Sequence, residues 1–218
     1  MIFDGWGIEQ LVLEHVSKNL SPGERGRLGN AILDRTTSRS DIEALGPLVE
    51  AGEDAHLKTL TFVLSEVGLL SIHAMGWLDD LLEHRSDWIR HHAVVAVQNS
   101  GSLEHPLTSA AAVRKLYDIR AVRLAAVRLV ANGSLPQIAT TADLLPEPIN
   151  ASIQWLISGS IDGVDVRLRS SDVGVAIVGL ARLHRSGVNA KLEDSMSCRE
   201  ELSEAERWLN RAPIPPKS

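Results

Sequence analysis

Five glycines, Gly68, Gly101, Gly133, Gly159 and Gly187, each close an amphipathic run that reads as one helix repeated along the chain. The runs are HLKTLTFVLSEVG, IRHHAVVAVQNSG, VRLAAVRLVANG, INASIQWLISG and VAIVGLARLHRSG. Successive glycines lie 33, 32, 26 and 28 residues apart, a helical hairpin's worth of chain each time. Glycine just past a helix takes the left-handed conformation that caps the last turn. A degenerate period built only of helices predicts an all-α chain wound as an α-solenoid, each pair burying its apolar face on the next. The pattern constrains architecture far more than it constrains function.

Nothing in the chain alternates as a strand would, and no hairpin turn signature occurs. Ser21-Pro22 offers an N-cap followed by proline in the first turn, reinforced by Glu24. Ser40 with Glu43 has the spacing of a capping box, and Ser86, Asp87 and Asp118 can each cap the helix that follows. Pro106, Pro136, Pro146 and Pro148 mark breaks, since proline is poorly tolerated inside a helix. About twelve helices in antiparallel pairs are expected, most of roughly 9–15 residues. SDIEALGPLVEAG pairs with EDAHLKTLTFVLSEVG, GWLDDLLEH with SDWIRHHAVVAVQNSG, and TSAAAVRKLY with DIRAVRLAAVRLVANG. LPQIATTADLL with EPINASIQWLISG, and VDVRLRSS with DVGVAIVGLARLHRSG, follow. The expected layout is a single domain over 1–218: a cap pair at 5–35, repeats over 40–187, a C-terminal cap at 189–211 and a loose tail at 212–218.

The second helix of each pair resembles the HEAT-like repeat of the phycobilin-lyase type. Asp87, Ile89, Arg90, Ala93, Ala96, Val97 and Gly101 fit that pattern, as do Asp118, Val122, Arg123, Ala126, Leu129, Val130 and Gly133. Weaker copies keep the apolar frame at Ile149, Asn150, Ile153, Leu156 and Ile157, and at Val175, Ala176, Gly179 and Leu183. Leu57-Lys58 opens an earlier copy, with lysine in the arginine's place. The resemblance covers roughly residues 40–187 and implies a HEAT-like superhelix; it does not imply one activity, because this repeat serves enzymes, lyases and binders alike. Ala93, Ala126 and Gly179 suit close approach of neighbouring helices. Arg90 and Arg123, 33 residues apart, are read as a structural ladder with the capping aspartates.

Charge is uneven. Residues 1–109 carry 16 acidic and 8 basic side chains, and residues 110–218 carry 12 and 14. The acidic half disfavours nucleic acid, whose binders gain affinity by releasing counterions with Lys and Arg. It favours a basic partner through steering. No apolar run approaches the ~20 residues of a membrane span. The segment MIFDGWGIEQLVLEHV has no basic leader, and the one cysteine, Cys198, suits a reducing compartment, so a cytoplasmic location is expected.

Signatures of catalysis are missing. There is no Walker loop, GxGxxG, GxSxG, HExxH or Cys/His cluster, and the adjacent His91-His92 point about 100° apart on a helix. Neither a metal nor a cofactor is therefore expected, and no catalytic residue is nominated. A geometric lead remains. If Ile89, Ala93, Ala96 and Val97 are the buried stripe of their helix, the opposite face shows Trp88, His91, Val95 and Gln98. Leu124 and Arg128, then Trp155, hold equivalent places in later repeats. In a two-layer solenoid the second helices line the concave surface, so these seven are the expected partner-binding residues; Trp88 and Trp155 are equally readable as plugs between repeats. The reading is a non-enzymatic protein-binding scaffold, of which an immunity protein or antitoxin covering a basic toxin domain is one form. The rivals are a bilin-type lyase using His91, His92 and Arg128, and a HEAT-like glycosylase using Arg114, Lys115, Arg120, Arg123 and Arg128.

Overall fold

The computed structural model describes residues 3–100, 105–132, 135–145 and 150. Among them the chain is all-α, with no strand. It divides into two compact units, Met1–Thr108 and Ser109–Ser218.

In the first unit α1 (Ile8–Ser17) and α2 (Pro22–Arg35) form the N-terminal pair. The start of α2 is the capping box read from the sequence: Ser21 accepts from the Glu24 N–H, and Glu24 returns to the Ser21 N–H at 2.9 Å. Helices α3 (Arg39–Glu43) and α4 (Gly46–Ala51) stand where one helix was expected. Pro47 lies in the first turn of α4 and has no N–H to continue the ladder of α3, so the chain breaks at Ala44-Leu45. The capping box also moves. Ser38 caps α3, with Asp41 rather than Glu43 reaching back, because the Asp41 carboxylate gathers the N–H groups of Thr37 and Ser38 together with both hydroxyls. Ser40 instead bonds the Ser38 hydroxyl, and Glu43 pairs with Arg39 on the surface.

Helix α5 (Asp54–Glu66) is the centre of this unit and packs against α2, α4 and α7. It closes at Gly68, whose φ of 56° is the left-handed value that a closing glycine supplies. Gly101, Gly133, Gly159 and Gly187 lie outside the described residues. A 3-10 segment, Gly68–Ala74, then leads into α6 (Met75–Leu82) and α7 (Asp87–Ser100). The buried face of α7 is Ile89, Ala93, Ala96 and Val97, widened by Val94 and Ser100. Arg90 donates to the carbonyls of His84 and Arg85 at 2.8 and 2.9 Å, stapling the α6–α7 turn to its helix.

Helix α8 (Pro106–Arg114) spans the boundary between the units. The second unit continues with a 3-10 turn (Lys115–Tyr117), α9 (Arg120–Asn132) and α10 (Leu135–Ala142). Its core holds Ala112, Val113, Leu116, Val122, Ala125, Ala126, Leu129 and Val130. Asp118 caps the Ile119 N–H at 2.7 Å, so α9 starts two residues later than that aspartate. Arg114 donates to the Leu144 carbonyl at 2.8 Å, tying the end of α8 to the chain after α10. The helices expected from residue 151 onward, and Gly179 among their small residues, lie outside the described residues.

Candidate functional site

Helices α2, α5 and α7 pack in turn within the first unit, α2 on α5 and α5 on α7. Between them runs an open groove of about 580 Å³. Helix α2 contributes Arg25, Gly26, Gly29 and Asn30, α5 contributes Asp54, Lys58, Thr59 and Phe62, and α7 contributes Trp88. Its volume falls within the range of ligand-binding clefts. The small residues of α2 shape it. A Cβ on Gly29 would sit 3.4 Å from the Thr59 methyl, so glycine there lets α2 approach α5 closely.

Trp88 is 38% exposed, and its ring rests on that of His92, one turn further along α7, with centroids 3.8 Å apart. His92 is itself fixed. Ser65 donates its hydroxyl proton to the Phe62 carbonyl at 2.8 Å, so at 3.1 Å it accepts from His92 Nδ1–H. Burial, with a smaller contribution from His91, lowers the His92 pKa to about 4, so the ring is neutral near pH 7. The indole therefore stands on a neutral, hydrogen-bonded platform at the groove's edge.

Charge in the groove is local. Arg25 Nε is buried and, among the described residues, has no hydrogen-bond partner. Lys58 is exposed on the α5 side. Asp54 is the carboxylate there, and Arg85 bonds it at 2.9 Å, which holds it below the usual carboxylate range. His84 Nε2 adds a contact at 3.8 Å, with its Nδ1 turned to the Ser86 N–H. With Asp54 matched by Arg85, the groove presents the positive charge of Arg25 and Lys58 inside an acidic segment.

Beneath the groove floor is a buried polar chain with no counterpart in the sequence reading. His15 and His56 touch through their Nδ1 atoms at 3.0 Å, and His15 Nε2 lies 2.8 Å from the Thr59 hydroxyl. His56 Nε2 is 3.5 Å from Glu53. A carboxylate only accepts, so His56 presents a proton on the Nε2 that faces Glu53. The Thr59 hydroxyl also reaches the Ala55 carbonyl at 3.4 Å. His15 is fully buried, and burial, the neighbouring His56 and Arg25 lower its pKa to about 4.

Trp88, His91, Val95 and Gln98 all lie on the partly exposed side of α7, opposite its buried stripe. Trp88 alone of these reaches the groove. Arg128 is half-buried on α9 in the second unit, where burial pushes its pKa down. The side chain of Leu124 and the whole of Trp155 lie outside the described residues. The reading of the sequence missed Arg25, Lys58, Thr59 and Phe62, because which helices meet is not written in any one of them. A partial signal existed for His15: it shares the apolar face of α1 with Leu11 and Val12.

No group of three or more His, Cys, Asp or Glu side chains able to hold a metal gathers among the described residues. None of their helices is long and apolar enough to cross a membrane. No family model, curated protein or solved structure matches this chain.

Proposed function

We propose that this chain is a HEAT-like α-solenoid of about twelve helices that binds a partner protein along the surface built by its second helices. The observation that carries the reading is the groove itself. Helices α2, α5 and α7 each follow a shorter partner segment, pack side by side, and share one cleft edged by an exposed tryptophan. Tryptophan and arginine beside an apolar cleft are the residue types that dominate binding hot spots. His91, Val95 and Gln98 on α7, and Leu124, Arg128 and Trp155 later in the chain, are the further residues assigned to partner binding by the helical spacing.

Neutralisation of a toxin domain is the specific form of this role that the acidic balance of residues 1–109 favours. The acidic surface of residues 1–109 steers a basic body toward the groove. A nucleic-acid reading would use Arg25, Lys58 and Trp88 instead. Two cations in a segment with 16 acidic and 8 basic side chains are few for tracking a phosphate backbone, whose affinity grows with each phosphate neutralised.

Gly26 provides the test. A Cβ there meets nothing within 4 Å, so Gly26→Leu fills the groove without touching the core. One defined protein retained by the wild-type chain and lost by Gly26→Leu, with the melting temperature unchanged, supports the reading. A partner held equally by both places binding elsewhere.

A further inference from the structure

We infer that the groove recognises an acidic side chain lying beside a bulky apolar one on the partner, the acid meeting Arg25 and Lys58 and the apolar group meeting Phe62 and Trp88. This deepens the protein-binding reading and rests on it.

Charge complementarity at short range carries this recognition. Arg25 lines the groove on α2, and its buried Nε has no hydrogen-bond partner among the described residues. A buried donor left unmade is costly, and a guanidinium fork matches a carboxylate in geometry as well as in charge. Lys58, exposed across the groove on α5, supplies a second cation that no described ion pair occupies. The acid already present cannot serve, since Asp54 is committed to Arg85 at 2.9 Å. Phe62 lies one helical turn beyond Lys58 on α5, with Trp88 on α7, while Arg25 stands on α2, so the cleft sets two cations beside two aromatic rings. Cations and aromatic rings lining one cleft select a two-part motif in preference to a lone anion or a greasy side chain. The broad acidic surface and the cationic groove then act at different ranges: the first draws in a basic body, and the second chooses the acid that enters.

The test uses random 12-residue peptides displayed on phage and panned against the full-length protein. Enriched peptides are measured by fluorescence anisotropy against wild type, Gly26→Leu, Arg25→Gln and Lys58→Glu. A labelled single-stranded 12-nucleotide oligonucleotide is run beside them. The expected result is enrichment of Asp or Glu within about three positions of Phe, Trp or Leu. Binding should be lost in Gly26→Leu, fall about tenfold or more in Arg25→Gln, and fall several-fold in Lys58→Glu. Thermal melts show whether Arg25→Gln stays folded, and Gly26→Leu and Lys58→Glu carry the test independently of it. Basic or uncharged peptides that are lost in Gly26→Leu overturn the acidic motif and leave the protein-binding reading standing. Peptides indifferent to Gly26→Leu overturn both. An oligonucleotide held by the groove in place of peptides overturns the inference in favour of nucleic acid.

Discussion

His15 and His92 are both held neutral with a pKa near 4, both chiefly by burial, yet they sit in different worlds. His15 is sealed between α1 and α5, touches a second imidazole and has no exposed surface. His92 is half-buried at the groove's edge, carries the Trp88 ring and borrows one serine. A depressed pKa alone therefore does not mark a functional histidine. What separates the two is where the rest of the ring points: His15 into the core, His92 beneath an exposed aromatic.

Truncation separates the two rings most strongly. His15→Ala removes a buried ring and leaves His56 Nδ1 and Thr59 Oγ1 without their partner, so a loss of about 3–5 kcal/mol is expected. His92→Ala should cost about 1 kcal/mol, because its site opens to water. Urea unfolding of the two variants measures both. Equal losses would mean that His92 is as structural as His15.

Acid titration comes next. A histidine unfolds to a pKa near 6.5, so between that value and about 4 the unfolded chain binds protons that folded His15 and His92 refuse. Stability from these rings is full above pH 6.5, falls as the pH drops, and is spent near pH 4. For fully buried His15 the fall should amount to a few kcal/mol. His15→Leu should flatten the curve across that window, as followed by chemical denaturation at each pH. An unchanged slope would assign the acid sensitivity elsewhere.

Trp88→Ala is expected to weaken partner or selected-peptide binding by about 2 kcal/mol, roughly thirtyfold. Its effect on stability should be about 1 kcal/mol, since the ring packs mainly on His92. Reversed magnitudes, read from anisotropy and melting together, would return Trp88 to the role of a plug.

What the sequence disclosed and what it hid follow from range. The Ser21–Glu24 box and the turn at Gly68 were legible because each is complete within a few residues. Ser38 and Ser40 compete within one window, and only the fold shows that Asp41 gathers the N–H groups while Arg39 takes Glu43. The exposed side of α7 was readable from helical spacing, which placed Trp88 correctly opposite Ile89 and Ala93. The contact between His15 and His56 joins residues 41 apart, and no spacing rule reaches that far. Net charge misled most about the groove. An excess of acid over a hundred residues says nothing of two cations, Arg25 and Lys58, that the packing of α2 on α5 sets around one cleft.

The finest test compares two hydroxyls. Thr59→Val keeps the shape of the side chain but removes the only described group that faces His15 Nε2, and water has no route to a ring with zero exposure. An unmade hydrogen bond in that setting costs about 1–3 kcal/mol. Ser65→Ala removes the acceptor of His92 Nδ1–H, but the half-buried ring can turn that donor to water, so about 0.5–1 kcal/mol is expected. Ser65→Ala should nevertheless weaken binding several-fold, because the platform under Trp88 loosens, whereas Thr59→Val should act on stability more than on affinity. A larger stability loss from Ser65→Ala than from Thr59→Val would reverse the ranking of sealed and open sites. The groove-edge histidine would then be part of the core, and the distinction between His15 and His92 would fail.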